Sequence, residues 1–522
     1  MQKRFTAEKP SCDFCNGSET EEVQHQYGSS MKDLKEKTIR GGVARLIAQG
    51  ADFTLRLVSL MVLARLLGPK DFGLVGMVTA FTGVLTLFRD FGLSAAAIQR
   101  SHVTDDQVST LFWINVAVGA FLAMFTLAMA PAVAAFYHEP RLLGVTAALA
   151  CSFFFNALGV QHQALLQRAM RFTALALVSV ISLVVSTAIG IGGAMVGYGY
   201  WALVAMTLAQ PLINTLGFWL ITAWMPGWPR RGVGIRSMMH FGGTITLNGL
   251  VVYIASNFEK VLLGRYWGAD ALGIYGRAYQ LVNIPTANLN SAAGEVAFSA
   301  LSRLQGQPER LRSYFLKGYS IILAMTIPMT LACALFADDM IYVFLGPKWQ
   351  SAAPIFRYLA PTIIVFAIAN PLSWLVMSLG LVKRSLKMGL VIAPLMIFSY
   401  WIGLPYGPKG VALAYSVTML LWLLPVVMWS IYGTVISLLD IALAVIRPLG
   451  SSIVAAGLAF AVRCVYGQSI SALPRLTLEV VVLLGVFLSL LLFATGQKSL
   501  YLGLLRSLRQ SSSTEKETLV SA

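Results

Sequence analysis

The chain has 522 residues, of which 57% are hydrophobic and only 12% charged, with a mean hydropathy of +0.71. Roughly a quarter of a soluble domain's residues are charged, so a soluble globular protein of this length is excluded. The formal net charge of +16 does not point to nucleic acid, because the basic residues sit mostly in short connectors between apolar runs, where they read as membrane topology.

Residues 1–40 are polar and mixed in charge, with no apolar h-region, and are expected to form a disordered cytoplasmic tail. Cys12 and Cys15 make a lone CxxC with only His25 nearby, too few ligands for a metal site. Cys151, Cys333 and Cys464 lie in or beside apolar spans and read as packing residues, so no disulfide framework is suggested.

Fourteen candidate spans follow, at about 42–66, 73–97, 109–136, 142–167, 172–196, 199–224, 239–263, 271–297, 317–337, 352–379, 386–403, 409–432, 440–463 and 474–495. They are continuous apolar runs and not short alternating segments, which favours helices over a barrel. The predicted fold class is an all-α polytopic membrane protein of about 14 transmembrane helices. With the N-terminus in the cytoplasm, most of the 39 Lys and Arg fall in the cytoplasmic tails and connectors, such as "PRRGVGIR", "RLQGQPERLRSYFLK" and "VKRSLK". That asymmetry satisfies the positive-inside rule, and an even number of spans returns the C-terminus to the cytoplasm. "GPKW" (Gly346–Trp349) reads as an outer interfacial turn with an aromatic anchor.

An internal repeat organises the spans. "RLLGPKDFGLVG" matches "RYWGADALGIYG" at a constant offset, so that Arg65, Gly68, Gly73 and Gly76 fall on Arg265, Gly268, Gly273 and Gly276. "GYGYWAL" (Gly197–Leu203) and "GPKGVAL" (Gly407–Leu413) form a weaker echo. Both halves begin inside, so the repeats are parallel, related by an axis along the membrane normal. The expected organisation is a six-helix bundle over 41–224, a basic cytoplasmic linker over 225–238 and a second six-helix bundle over 239–432. Two additional helices over 433–495 and a cytoplasmic tail over 496–522 complete it.

Polar side chains fall on single faces of equivalent helices. Arg45, Gln49, Asp52, Arg56 and Ser59 recur at steps of four and three residues, and Thr79, Thr82, Thr86 continue toward the adjacent Arg89 and Asp90. In the second half, span 7 offers Tyr253, Ser256, Asn257 and Lys260, and span 8 offers Arg277, Gln280, Asn288, Ser291 and Glu295. Each such charge facing lipid at a helix centre would cost about 2.5 kcal/mol or more, so these residues must meet a wet cavity or one another. Arg45, Arg56, Arg89, Lys260 and Arg277 are the candidate substrate-binding cations; a guanidinium fork holds phosphate oxygens bidentately. Asp52 and Glu295 are the candidate ion-coupling carboxylates, while Asp90 is expected to turn to a neighbouring helix. Arg65 and Arg265, at helix C-terminal ends, read as structural anchors. Walker A, HExxH and GxSxG sequences are absent, and His102, His138, His162 and His240 near helix ends read as snorkelling side chains. No catalytic residue, cofactor or metal is expected.

At "LARLLGPKDFGLVGMVTAFTGVLTLFRDFGLSAAAIQR" (Leu63–Arg100) and "SNFEKVLLGRYWGADALGIYGRAYQL" (Ser256–Leu281) the sequence resembles the polysaccharide transporters of the MOP superfamily, the Wzx-type oligosaccharide-lipid flippases. The resemblance covers roughly 35–440 and is nearest to exporters of exopolysaccharide or colanic-acid-like units. It implies two six-helix bundles around a central cationic cavity in the bacterial cytoplasmic membrane. It further implies an undecaprenyl-diphosphate-linked oligosaccharide as substrate, with a polysaccharide polymerase and export machinery as candidate partners. The rival readings are a multidrug or cation antiporter of the same superfamily, which an acidic site in the N-terminal half would favour, and a glycan polymerase or ligase, which would call for a large basic outer loop.

Overall fold

A computed structural model describes residues 49–88, 104–229, 236–466 and 471–494. Arg45, Arg89, Asp90 and both terminal tails lie outside the described residues, as does the side chain of Glu295. The architecture is all-α, with helices α1 (49–66), α2 (Pro69–Thr86), α3 (Asp105–Tyr137), α4 (Arg141–Arg168), α5 (Phe172–Val196), α6 (Tyr200–Thr222) and α7 (Arg236–Arg303). There follow α8 (Pro308–Leu335), α9 (Ala337–Phe344), α10 (Ala352–Leu359), α11 (Pro361–Ser378), α12 (Val382–Gly403), α13 (Gly407–Ile431), α14 (Leu438–Tyr466) and α15 (Ala472–Ser489). Among the described residues nine segments are long and apolar enough to cross a membrane. Large apolar side chains such as Leu220, 82% exposed, stand on the outer surface, as a lipid-facing wall requires.

The helix ends follow local chemistry. Pro69 opens α2 where its missing N–H is no loss, and the Asp71 carboxylate accepts from the Gly68 N–H at 3.0 Å. Thr104 and Gln107 form a reciprocal capping box at the start of α3. Gly197 ends α5 and Gly407 starts α13, both with positive φ, so the two members of the weaker echo serve the same kind of tight joint between antiparallel helices.

Spans 7 and 8 are two helices that follow one another within α7 and meet at Gly268, whose φ of 80° and ψ of −176° no side-chain-bearing residue adopts cheaply. Two departures from the sequence reading have physical causes. Trp349 does not anchor an interface. It is fully buried, donates from Nε1 to the Ala64 carbonyl at 2.7 Å and meets Phe72 edge-on. His162 does not snorkel: it is buried among Phe112, Trp219 and Trp224, with Nδ1 2.8 Å from the Thr222 hydroxyl.

The main core joins α1, α2 and the middle of α7 to α9–α13. A second core holds α8, α11 and the start of α14 together, and a third seats α14 and α15 against α8. Polar clasps supplement these contacts. Arg312 on α8 grips Asp440 on α14 with two bonds, at 2.7 and 3.0 Å. Asp339 on α9 is buried and paired with Arg475 of α15 and, at 3.4 Å, with Arg463 of α14.

Candidate functional site

The two copies of the main repeat meet each other. Gly73 lies against the backbone of Ala269, and Gly273 against the carbonyl of Pro69; a Cβ at either glycine would overlap that backbone. The partners are themselves repeat-equivalent, so the contact is reciprocal, as across a two-fold axis. The arginines of the repeat cross in the same way. Arg65 donates to the Val343 carbonyl at the end of α9 (2.8 Å), and Arg265 bonds His138 Nδ1 at the end of α3 (2.6 Å). Gly68 and Gly268 diverge: Gly68 is extended, at φ −93°, whereas Gly268 is left-handed. Gly76 meets the Leu272 side chain, and Gly276 faces open space.

Along α2, away from this clasp, a cavity of about 460 Å³ opens between α2, α4, α6 and α7. Its walls include Thr79, Thr82 and Thr86 of α2, and Tyr253 of α7, which the helical spacing had placed on one face. They also include Ser152, Asn156, Thr207, Gln210 and Asn214, which the sequence reading missed. The missed residues are single hydroxyls and amides inside otherwise apolar spans, a signal that becomes visible only when α4 and α6 are known to face α2.

Every described side chain lining the cavity is uncharged. The three threonines of α2, Ser152 and Thr207 donate their hydroxyl protons back to helix carbonyls, so their oxygens remain acceptors. Pro211, also in the wall, has no N–H to reach the Thr207 carbonyl one turn back, which adds another backbone acceptor. Asn214 accepts from Ser182 at 2.9 Å, which orients its amide. Gly83 lets α7 come close: the Tyr253 hydroxyl occupies the place a Cβ would take.

The described members of the predicted cationic set lie elsewhere. Arg56 pairs with Asp52 one turn away at 2.7 Å, both partly exposed. Lys260 donates to Asn257 at 2.6 Å. Arg277 bonds Gln280 and stacks on the Phe72 ring, 4.1 Å from its centroid. Each cation is satisfied by a partner on its own helix, joined for Arg277 by an aromatic face across the α2–α7 contact. Glu259 of α7, by contrast, is 1% exposed and neither carboxylate oxygen has a hydrogen-bond partner.

Comparison with known proteins matches residues 62–354 to the family described as polysaccharide biosynthesis protein. The lipopolysaccharide biosynthesis protein WzxC of Escherichia coli (strain K12) is 25% identical over 360 residues, 68% of this chain and 72% of that protein. Among solved structures, the lipid II flippase MurJ in an inward closed conformation aligns with a TM-score of 0.68 at 14% identity, covering 87% of this chain and 98% of that one. An inward-facing multidrug resistance MATE transporter of the MOP superfamily aligns at 0.59 and 15% identity, over 77% and 98%. At such identities the likeness concerns the fold alone, and that fold is MOP-like.

Proposed function

The chain belongs to the polysaccharide biosynthesis protein family, a family of membrane transporters and not of enzymes, and on that premise we propose that it flips a lipid-linked oligosaccharide across the bacterial cytoplasmic membrane. The glycan passes through the cavity while the undecaprenyl tail stays in the bilayer. The observation that carries this reading is the cavity wall of hydroxyls, amides and backbone acceptors, chemistry matched to sugar hydroxyls, each a donor and an acceptor. The diphosphate is assigned to Arg89, which stands three residues after Thr86 in the sequence.

The reading also takes the two repeat copies as the cores of two six-helix bundles, 41–224 and 239–432, with 433–495 as an added helix pair. The reciprocal glycine clasp closes one end of the path, and rocking of one bundle on the other opens it. A multidrug antiporter of the same fold would call for an acidic group in the N-terminal cavity, and the described lining contains none.

The test is reconstitution. Purified full-length protein in proteoliposomes is given a fluorescent undecaprenyl-diphosphate oligosaccharide, and its accessibility to an external reagent is followed. Protein-dependent flipping that requires the oligosaccharide is expected. Equal flipping of a bare phospholipid, or export of organic cations in its place, would overturn the proposal.

A further inference from the structure

The cavity between α2, α4, α6 and α7 distributes its donors and acceptors unevenly. Five hydroxyls line it, and each gives its proton to a carbonyl of its own helix: Thr79, Thr82 and Thr86 on α2, Ser152 on α4 and Thr207 on α6. Their oxygens are left as acceptors. Pro211 leaves the Thr207 carbonyl without its helical N–H partner, which adds one more. Donors enter from two places. The amide oxygen of Asn214 is taken by the Ser182 hydroxyl at 2.9 Å, so its NH2 group is the end left to a ligand. Gln210, one turn earlier on α6, and the Tyr253 hydroxyl of α7 have no hydrogen-bond partner among the described residues.

A ligand that fills this space must both donate and accept. A sugar hydroxyl does both. A carboxylate only accepts, so it meets the α2 oxygens acceptor to acceptor. The described lining residues offer it no cation to replace the water it loses. An ammonium group only donates, so it suits α2 but leaves the α6 amide donors unpaired. At about 460 Å³ the cavity falls within the small-ligand range of about 300–1,000 Å³, and so surrounds a few sugar rings and not a long chain.

The repeat makes this wall a special feature of one half. At its constant offset, Thr79 and Thr82 correspond to Tyr279 and Val282. Both of those side chains pack into the main core. Helices of this kind are therefore built without a threonine face, and helix packing does not demand one.

We propose that this cavity is a charge filter on the glycan. It admits neutral, hydroxyl-rich sugar rings and rejects sugars that carry a carboxylate or an amine, with Thr82 of α2 and Gln210 of α6 as specificity-determining residues. Its place in transport rests on the flippase reading; the selectivity of the cavity does not.

Two measurements keep these apart. The first is binding to purified full-length protein by saturation-transfer NMR at pH 6, where carboxylates are ionised and amines protonated. Its probes share one shape: cellotriose, the triuronate made by oxidising every C6, and the triamine with an amino group at every C2. Cellotriose should bind at least about ten-fold tighter than either charged probe, because one acceptor left facing another is a loss of that order. Gln210→Arg supplies a cation to the wall and should bring the triuronate level with cellotriose. Thr82→Val keeps the shape and removes the acceptor, and should weaken cellotriose with an unchanged unfolding midpoint. The second measurement is flipping in proteoliposomes of undecaprenyl-diphosphate carrying the same three trisaccharides, which should follow the same order. Equal or tighter binding of a charged probe by the wild type overturns the proposal, as does binding of none of the three, or an order unchanged in both folded variants. If cellotriose is selected while no lipid-linked form moves, the filter stands and the flippase reading falls. If all three lipid-linked forms flip at equal rates, the flippase reading stands and the filter falls.

Discussion

Gly73 rests directly on the backbone of Ala269, and the same relationship recurs between Gly273 and Pro69. Glycine is needed at these two positions for space, because a methyl group would enter the facing main chain. Helices α2 and α7 thus approach at backbone distance, as small residues permit in bilayers, where packing and not the hydrophobic effect drives helix association.

Gly73→Ala and Gly273→Ala are therefore expected to separate α2 from α7. Overpacking of this kind costs about 1–3 kcal/mol. Thermal unfolding of the purified protein in detergent should show both variants lowered and Gly276→Ala, which faces open space, close to wild type. Equal midpoints for all three would remove the clasp from the account.

The cavity wall predicts transport defects without misfolding. Gln210→Leu replaces a lining amide by an apolar group of similar size, and a lost hydrogen bond to a sugar hydroxyl is worth about 1 kcal/mol, roughly five-fold in rate or affinity. Flipping assays with normally folded protein should show that reduction. Wild-type rates from Gln210→Leu combined with Asn214→Leu would take the glycan out of this cavity.

Gly83 and Tyr253 should behave as a coupled pair. Gly83→Ala places a methyl group where the Tyr253 hydroxyl stands, driving that side chain into the cavity and slowing transport. Adding Tyr253→Ala removes the clash, so the double variant should be less impaired than additivity requires, the signature of contact in a double-mutant cycle. Strict additivity would mean that the two helices adjust independently.

Asp339, buried between Arg475 and Arg463, should matter more than the exposed Asp52–Arg56 pair. Asp339→Ala removes a buried carboxylate from between two part-buried arginines, at a cost of up to about 3 kcal/mol, whereas Asp52→Asn should change stability by under about 1 kcal/mol. Denaturation midpoints compare the two. Protease sensitivity of the α14–α15 connection should rise in the first variant only.

Orientation is tested by reporter fusions. Lys348 Nζ lies 3.5 Å from the Arg65 carbonyl, so Lys70 and Lys348 share one end of the molecule. Fusions there should report the outer face, and fusions at Pro308 and Lys383 the cytoplasm. The opposite result at both pairs would invert the proposed direction of the path.

By itself the sequence determined that this is an all-α, multi-span membrane protein and that two of its segments are copies. It also placed Thr79, Thr82, Thr86 and Tyr253 on faces that share a polar environment. Hydropathy and helical period are properties of one strand of chain, and the bilayer makes them decisive by forbidding unsatisfied backbone. Tertiary structure alone decided where each polar face points. The rotation of a helix about its axis is set by partners far away in the chain, so the sequence could not show that Arg277 turns to Phe72. Nor could it show that Ser152 and Asn214 meet across one cavity, or that Trp349 is drawn inward by the Ala64 carbonyl. Glu259 makes the same point: its residue type is plain in the sequence, but its complete desolvation among tyrosines of three helices exists only once those helices are packed.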